Sequence, residues 1–149
     1  MVKVGIIGVG TVGTSVAQIL KDNADVISAR AGTEIVVKSG VVKNLSKERG
    51  LDIALSTNVD DILDDPEIDI VVELMGGVEE AFEVVKKALK NGKAVVTANK
   101  ALLAYHRYEL AELAQDIAFE YEASVAGGIP IINALRDGLS ANHIESIVG

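Results

Sequence analysis

Gly8-Val9-Gly10-Thr11-Val12-Gly13 decides the reading of this chain. It follows the apolar run 2–7 without a break and opens a helix-prone stretch at Thr11. Residues 2–7 read as a strand buried on both faces. In a strand–turn–helix setting each glycine has a separate task. Gly8 makes the tight turn, Gly10 lets backbone approach a pyrophosphate, and Gly13 lets helix and strand pack closely. The N–H groups at the helix start then face the anion, so no basic residue is needed there. The competing reading is a turn that uses glycines only for flexibility.

Working outward, short apolar runs alternate with longer amphipathic segments, the pattern of repeated βαβ units. Further strands are expected at 35–42 (interrupted by Ser39-Gly40), 68–74 (ending at Met75-Gly76-Gly77), 94–98 and 117–125. Helices are expected at 11–21, running on towards Arg30 until Gly32 stops it, and at 57–63, 78–90, 100–115 and 129–136. Segment 45–50 is polar. In 78–90, the residues Val78, Ala81, Phe82, Val85, Ala88 and Leu89 recur at helical spacing, and Asn91-Gly92 closes the helix. Hydrophobic residues make up 49% of the chain and aromatics only 3%. Such an aliphatic core suits a parallel sheet covered by helices. The expected fold is α/β: a Rossmann-type, doubly wound, mainly parallel sheet with helices on both faces.

The charge balance narrows the partners. A formal net charge of -8 argues against nucleic acid and against anionic membrane surfaces, which need a basic face. The absence of cysteine excludes a disulfide framework and a thiolate metal site, and suits a reduced cytoplasmic setting. Segment 4–20 is uncharged and contains Ser15-Val16-Ala17, which mimics a signal-peptide cleavage site. Glycines at 5, 8, 10 and 13 would break the apolar helix that a signal or a membrane span requires.

Three further constellations bear on chemistry. NAD-preferring folds place a carboxylate at the end of the second strand, on the ribose 2′-hydroxyl. Here Glu34 starts that strand, whereas Lys43 follows its end, which points to NADP or to use of both cofactors. A solvated strand-end lysine is the alternative. Asn99 is a good N-cap, and Lys100 then stands in the first helical turn, where the helix dipole disfavours a cation. A local rule broken beside the sheet's carboxyl edge points to function, against a chance surface lysine. In the stretch from Glu122 to Pro130, Gly127-Gly128 lets backbone carbonyls turn towards a small cation or ligand. On its alternation alone, 117–125 reads as an edge strand with one wet face. His106 and His143 fit no ligand cluster.

Together these motifs resemble the N-terminal cofactor-binding domain of homoserine dehydrogenase. The resemblance rests on Gly5-Ile6-Ile7-Gly8-Val9-Gly10-Thr11-Val12-Gly13, on Val71-Val72-Glu73-Leu74-Met75-Gly76-Gly77, on Val96-Thr97-Ala98-Asn99-Lys100-Ala101-Leu102-Leu103-Ala104, and on Glu122 to Ile132. It implies hydride transfer between L-homoserine and L-aspartate 4-semialdehyde with NAD(P), in threonine, methionine and isoleucine biosynthesis. It implies Lys100 as the active-site lysine beside the nicotinamide. It implies cofactor contacts from Gly8, Val9, Gly10, Thr11, Val12, Gly13, Lys43, Met75, Gly76, Thr97 and Lys100. A sodium-type cation would sit on backbone carbonyls of Glu122, Val125, Gly127 and Ile129. A homodimer is implied for the full-length enzyme.

Residues 1–140 are expected to form the dinucleotide-binding domain, and 141–149 to start a substrate domain, with 143–149 reading as the beginning of a strand. The chain is thus expected to bind cofactor without turning over alone. The alternatives are a stand-alone nucleotide-sensing module and a related dehydrogenase acting on aspartate.

Overall fold

The computed structural model describes residues 1–148. Among the described residues six strands form one parallel sheet in the order β3-β2-β1-β4-β5-β6. They are β1 (Val2–Ile7), β2 (Ile35–Val41), β3 (Ala54–Ser56), β4 (Ile70–Glu73), β5 (Ala94–Thr97) and β6 (Phe119–Glu120). The helices between them are α1 (Thr11–Asp22), α2 (Ala24–Ala31), α3 (Asp60–Leu63), α4 (Glu79–Lys90) and α5 (Lys100–Ala114). After β6 come two short helices, α6 (Ala123–Ala126) and α7 (Ile131–Asn133), the latter continuing into a π-helical turn, Ala134–Gly138.

Alternate side chains along each strand enter opposite layers, and both layers are apolar. On one face Ile7, Val41, Val71 and Val95 pack with Ile62 and Leu63 of α3, with Ala81, Phe82 and Val85 of α4, and with Leu102 and Leu110 of α5. On the other, Val4, Ile6 and Val72 pack with Ala17 of α1 and with Val9 and Val42. The doubly wound Rossmann-type architecture read from the sequence is therefore the one observed.

The sequence expectations fail locally in six places, most of them for a physical reason visible in the packing. The first helix is two, because the chain breaks step at Asn23 (φ -109°, ψ 22°). Ser39-Gly40 does not end β2, although the ladder with β1 slips by one residue there, Val4 facing Val37 and Gly5 facing Ser39; a Cβ at Gly40 would lie 2.5 Å from Val9 Cγ2, so the glycine makes room for the turn. β3 was not expected, and it pairs only Ala54, Leu55 and Ser56 with the open edge of β2. The expected strand 117–125 is cut to Phe119–Glu120, which pair with Val95 and Val96. Beyond them Ser124 is buried and its hydroxyl donates to Thr97 O at 2.8 Å, which draws the chain over the end of β5 into α6. The expected wet face of an edge strand is thus replaced by a helical turn. The helix expected at 129–136 starts at Ile131, after Pro130, and loosens into the π-helical turn. Residues 143–148 carry no strand and pair with nothing among the described residues, and Gly149 lies outside them.

Candidate functional site

The glycine turn sits where the strand order reverses, between β1 and β4, at the carboxyl ends of the strands. Ligands of doubly wound sheets bind at this crevice. Gly8 takes φ +101°, and its N–H donates to Val41 O at 3.0 Å. A Cβ on Gly8 would lie 2.6 Å from the carbonyl of Leu74, and one on Gly13 would lie 2.5 Å from Gly8 O. Around a Cβ on Gly10 there would be nothing within 4 Å. Two glycines are thus enforced by the protein's own packing, and the third faces open space. No side chain caps α1 and no acid stands in its first turn, so the N–H groups of Thr11, Val12 and Gly13 keep their pull on an anion. These features fit a dinucleotide pyrophosphate.

The turn opens onto a cleft of about 450 Å3 lined by Gly8, Val9, Gly10, Lys43, Met75 and Gly76, among others. Six of the sequence-predicted residues therefore meet in one place. Arg49 also lines this cleft, and the sequence reading missed it. Its Nε donates to Val9 O at 2.8 Å and its Nη1 to Lys47 O at 2.6 Å, which pins the polar loop after β2 across the glycine turn. Arg49 and Lys43 are the cations among the cleft's lining residues. Nothing in local sequence marks Arg49, since its contact spans 40 residues.

Lys100 and Thr97 stand apart from that cleft. Lys100 is exposed and lines a second cavity of about 510 Å3, with Leu103, Arg107, Tyr108, Tyr121 and Val125. Asn99 does cap the helix, its Oδ1 accepting from Leu102 N at 3.0 Å. Thr97 is fully buried. Its hydroxyl donates to Glu73 Oε2 at 2.5 Å and accepts from Asn99 N at 3.0 Å. Glu73 is the second residue the sequence reading missed, although a carboxylate ending the apolar run 68–74 was a signal. It is fully buried. Burial pushes its carboxyl above the ordinary value, and hydrogen bonds from Thr97 and Met75 pull the other way.

The stretch from Glu122 to Ile129 offers neutral carbonyl oxygens, which suit a hard cation. Glu122 O accepts from Val125 N at 3.2 Å and Ile129 O from Ile131 N at 2.8 Å. Each carbonyl keeps a second lone pair. Gly127 takes φ +60°, which turns the backbone there. The Glu122 carboxylate is otherwise engaged, accepting from Ile132 N and Asn133 N at 2.8 Å each, so it anchors the start of α7. Among the described residues no cluster of His, Cys, Asp or Glu could hold a metal. His106 stacks on Phe82, with centroids 4.1 Å apart, between α4 and α5. Among the described residues no helix is long and apolar enough to cross a membrane.

Comparison with known proteins gives the family and agrees with the fold. Residues 8–122 match the family model described as homoserine dehydrogenase, NAD binding domain. A homoserine dehydrogenase from Helicobacter pylori is 53% identical over 146 residues, covering 98% of this chain and 35% of that protein. The crystal structure of a homoserine dehydrogenase from Thiobacillus denitrificans superposes with a TM-score of 0.93 at 52% identity, over 97% of this chain and 34% of that one. A hyperthermophilic archaeal homoserine dehydrogenase in complex with NADPH gives a TM-score of 0.74 at 26% identity, over 90% of this chain and 47% of that one. The chain spans about a third of the length of the curated relatives it matches. With the family model matched over residues 8–122, most of its length, the chain belongs to the homoserine dehydrogenase NAD-binding domain family.

Proposed function

We propose that residues 1–140 are the dinucleotide-binding domain of an NAD(P)-dependent homoserine dehydrogenase that interconverts L-homoserine and L-aspartate 4-semialdehyde in the cytoplasm. The reading rests above all on Gly10, which faces open space at the bare N-terminus of α1 while Gly8 and Gly13 are held by packing. In this reading the backbone of Gly8, Val9, Gly10, Thr11, Val12 and Gly13 holds the pyrophosphate. The adenosine half lies towards β2, where such folds bind the ribose, and Lys43 with Arg49 meets a 2′-phosphate there. The nicotinamide half lies towards β4 and β5, near Met75, Gly76, Thr97 and Lys100. A bound nicotinamide supplies or accepts the hydride. The Lys100 ammonium, carried on the exposed first turn of α5, donates its proton to the substrate's carbonyl oxygen during reduction and takes it back during oxidation. A sodium-type cation on the carbonyls of Glu122, Val125, Gly127 and Ile129 would steady the loop beside Lys100. A homodimer belongs to the same reading, which rests there on the family resemblance.

Two outcomes test it. Lys43→Ala is expected to weaken NADPH binding about tenfold, as loss of one charge-assisted contact would, and to leave NADH affinity within about twofold. Equal losses for both cofactors, read by fluorescence titration, would remove Lys43 from the 2′-phosphate site. The 149-residue chain is also expected to show no oxidation of homoserine with either oxidised cofactor. Lys100 and the glycine turn line separate open cavities, and hydride transfer needs a carbon held in near-attack geometry. Sustained absorbance growth at the reduced-nicotinamide band would contradict this.

A further inference from the structure

Glu73 is a fully buried acid at the carboxyl end of β4, next to the strand-order reversal. Among the described residues no cation pairs with its carboxyl. Its Oε1 accepts from Met75 N at 2.8 Å, and its Oε2 accepts from the Thr97 hydroxyl at 2.5 Å. Thr97 Oγ1 in turn accepts from Asn99 N at 3.0 Å, and Asn99 Nδ2 donates back to Gly77 O at 2.8 Å. The contacts close a ring that passes through the turn after β4 and the turn after β5. Asn99 caps α5, whose first residue is Lys100. Burying an acid here is costly, and a neutral residue could fill the same space. What a neutral residue could not do is accept from two donors at once on opposite oxygens, for a glutamine presents one oxygen and one donor amide.

We infer that Glu73 is a positioning residue, which through Thr97 locks the Met75–Gly77 turn to the Asn99–Lys100 step and so shapes the nicotinamide half of the site. This rests on the cofactor reading above. It predicts an effect confined to one end of the dinucleotide. The adenosine diphosphate end is held by the glycine turn, Lys43 and Arg49; Gly8 packs on the backbone at Leu74–Met75, but among the described residues no hydrogen bond joins these groups to the ring.

The test compares two ligands on the 149-residue chain. One is NADPH, and the other is 2′-phospho-ADP-ribose, which lacks only the nicotinamide. Glu73→Gln is expected to weaken NADPH about tenfold, as loss of a buried hydrogen bond to a charged acceptor would, and to leave the fragment within about twofold. Thr97→Val should reproduce that pattern, and Thr97→Ser, which keeps the hydroxyl, should restore NADPH binding. If Glu73→Gln does not fold, the Thr97 pair decides alone. Parallel losses for both ligands would mean a merely structural acid and would overturn the inference, as would unchanged NADPH affinity. Failure of the unaltered chain to bind either ligand would instead strike the cofactor reading itself.

Discussion

Replacing Gly10 by alanine is expected to weaken NADPH binding about a hundredfold, a loss of about 2.7 kcal/mol, while thermal stability stays nearly constant. The two halves of that result have separate causes. A Cβ on Gly10 would meet no protein atom within 4 Å, and the residue's φ of -89° is open to any L-residue. Alanine is a poorer N-cap than glycine, but it also reduces the freedom of the unfolded chain. These terms oppose one another, each about 0.5 kcal/mol, so the melting temperature should move by no more than about 2 °C. The methyl would instead occupy the space through which a pyrophosphate approaches the backbone. A variant that melts normally and binds normally would show that the open space at Gly10 is not the phosphate cradle.

Gly8→Ala should do the reverse. At φ +101° an alanine is strained before any contact is considered. Its Cβ would also lie 2.6 Å from Leu74 C and O and 2.8 Å from Met75 N. These are backbone atoms, and Leu74 N is itself bonded to Ile7 O at 2.8 Å, so relief requires β1 and β4 to part. We expect a loss of about 3 kcal/mol, which lowers the melting temperature of a domain this size by about 6–12 °C. Calorimetric melting measures it directly. A melting point within a degree or two of the parent would mean that the turn can relax in a way its packing does not suggest.

The contrast between these glycines shows which features could be read in advance. β1, β4, β5 and α4 carry their own signatures: unbroken apolar runs for strands buried on both faces, and an apolar stripe at helical spacing for α4. The glycine turn was legible because its spacing and its place between strand and helix are both local. β3 was not, because Ala54-Leu55-Ser56 becomes a strand only when the edge of β2 is there to pair with it. The alternation from Ile117 to Val125 looked like a strand, yet its neighbour β5 ends at Thr97, and the Ser124 hydroxyl finds Thr97 O instead of solvent. The candidate site divides in the same way. Asn99 acts within one helical turn and could be read from sequence. Arg49 on Val9 and Glu73 on Thr97 act across 40 and 24 residues, and only the fold brings them together.

A calorimetric titration of the folded 149-residue chain with NADPH and with NADH tests the central claim most directly. The geometry of the Gly8–Gly13 turn predicts saturable binding of at least one of them, one dinucleotide per chain, with Lys43 and Arg49 favouring NADPH. No heat with either cofactor, on protein whose folding is verified in the same sample, would contradict it.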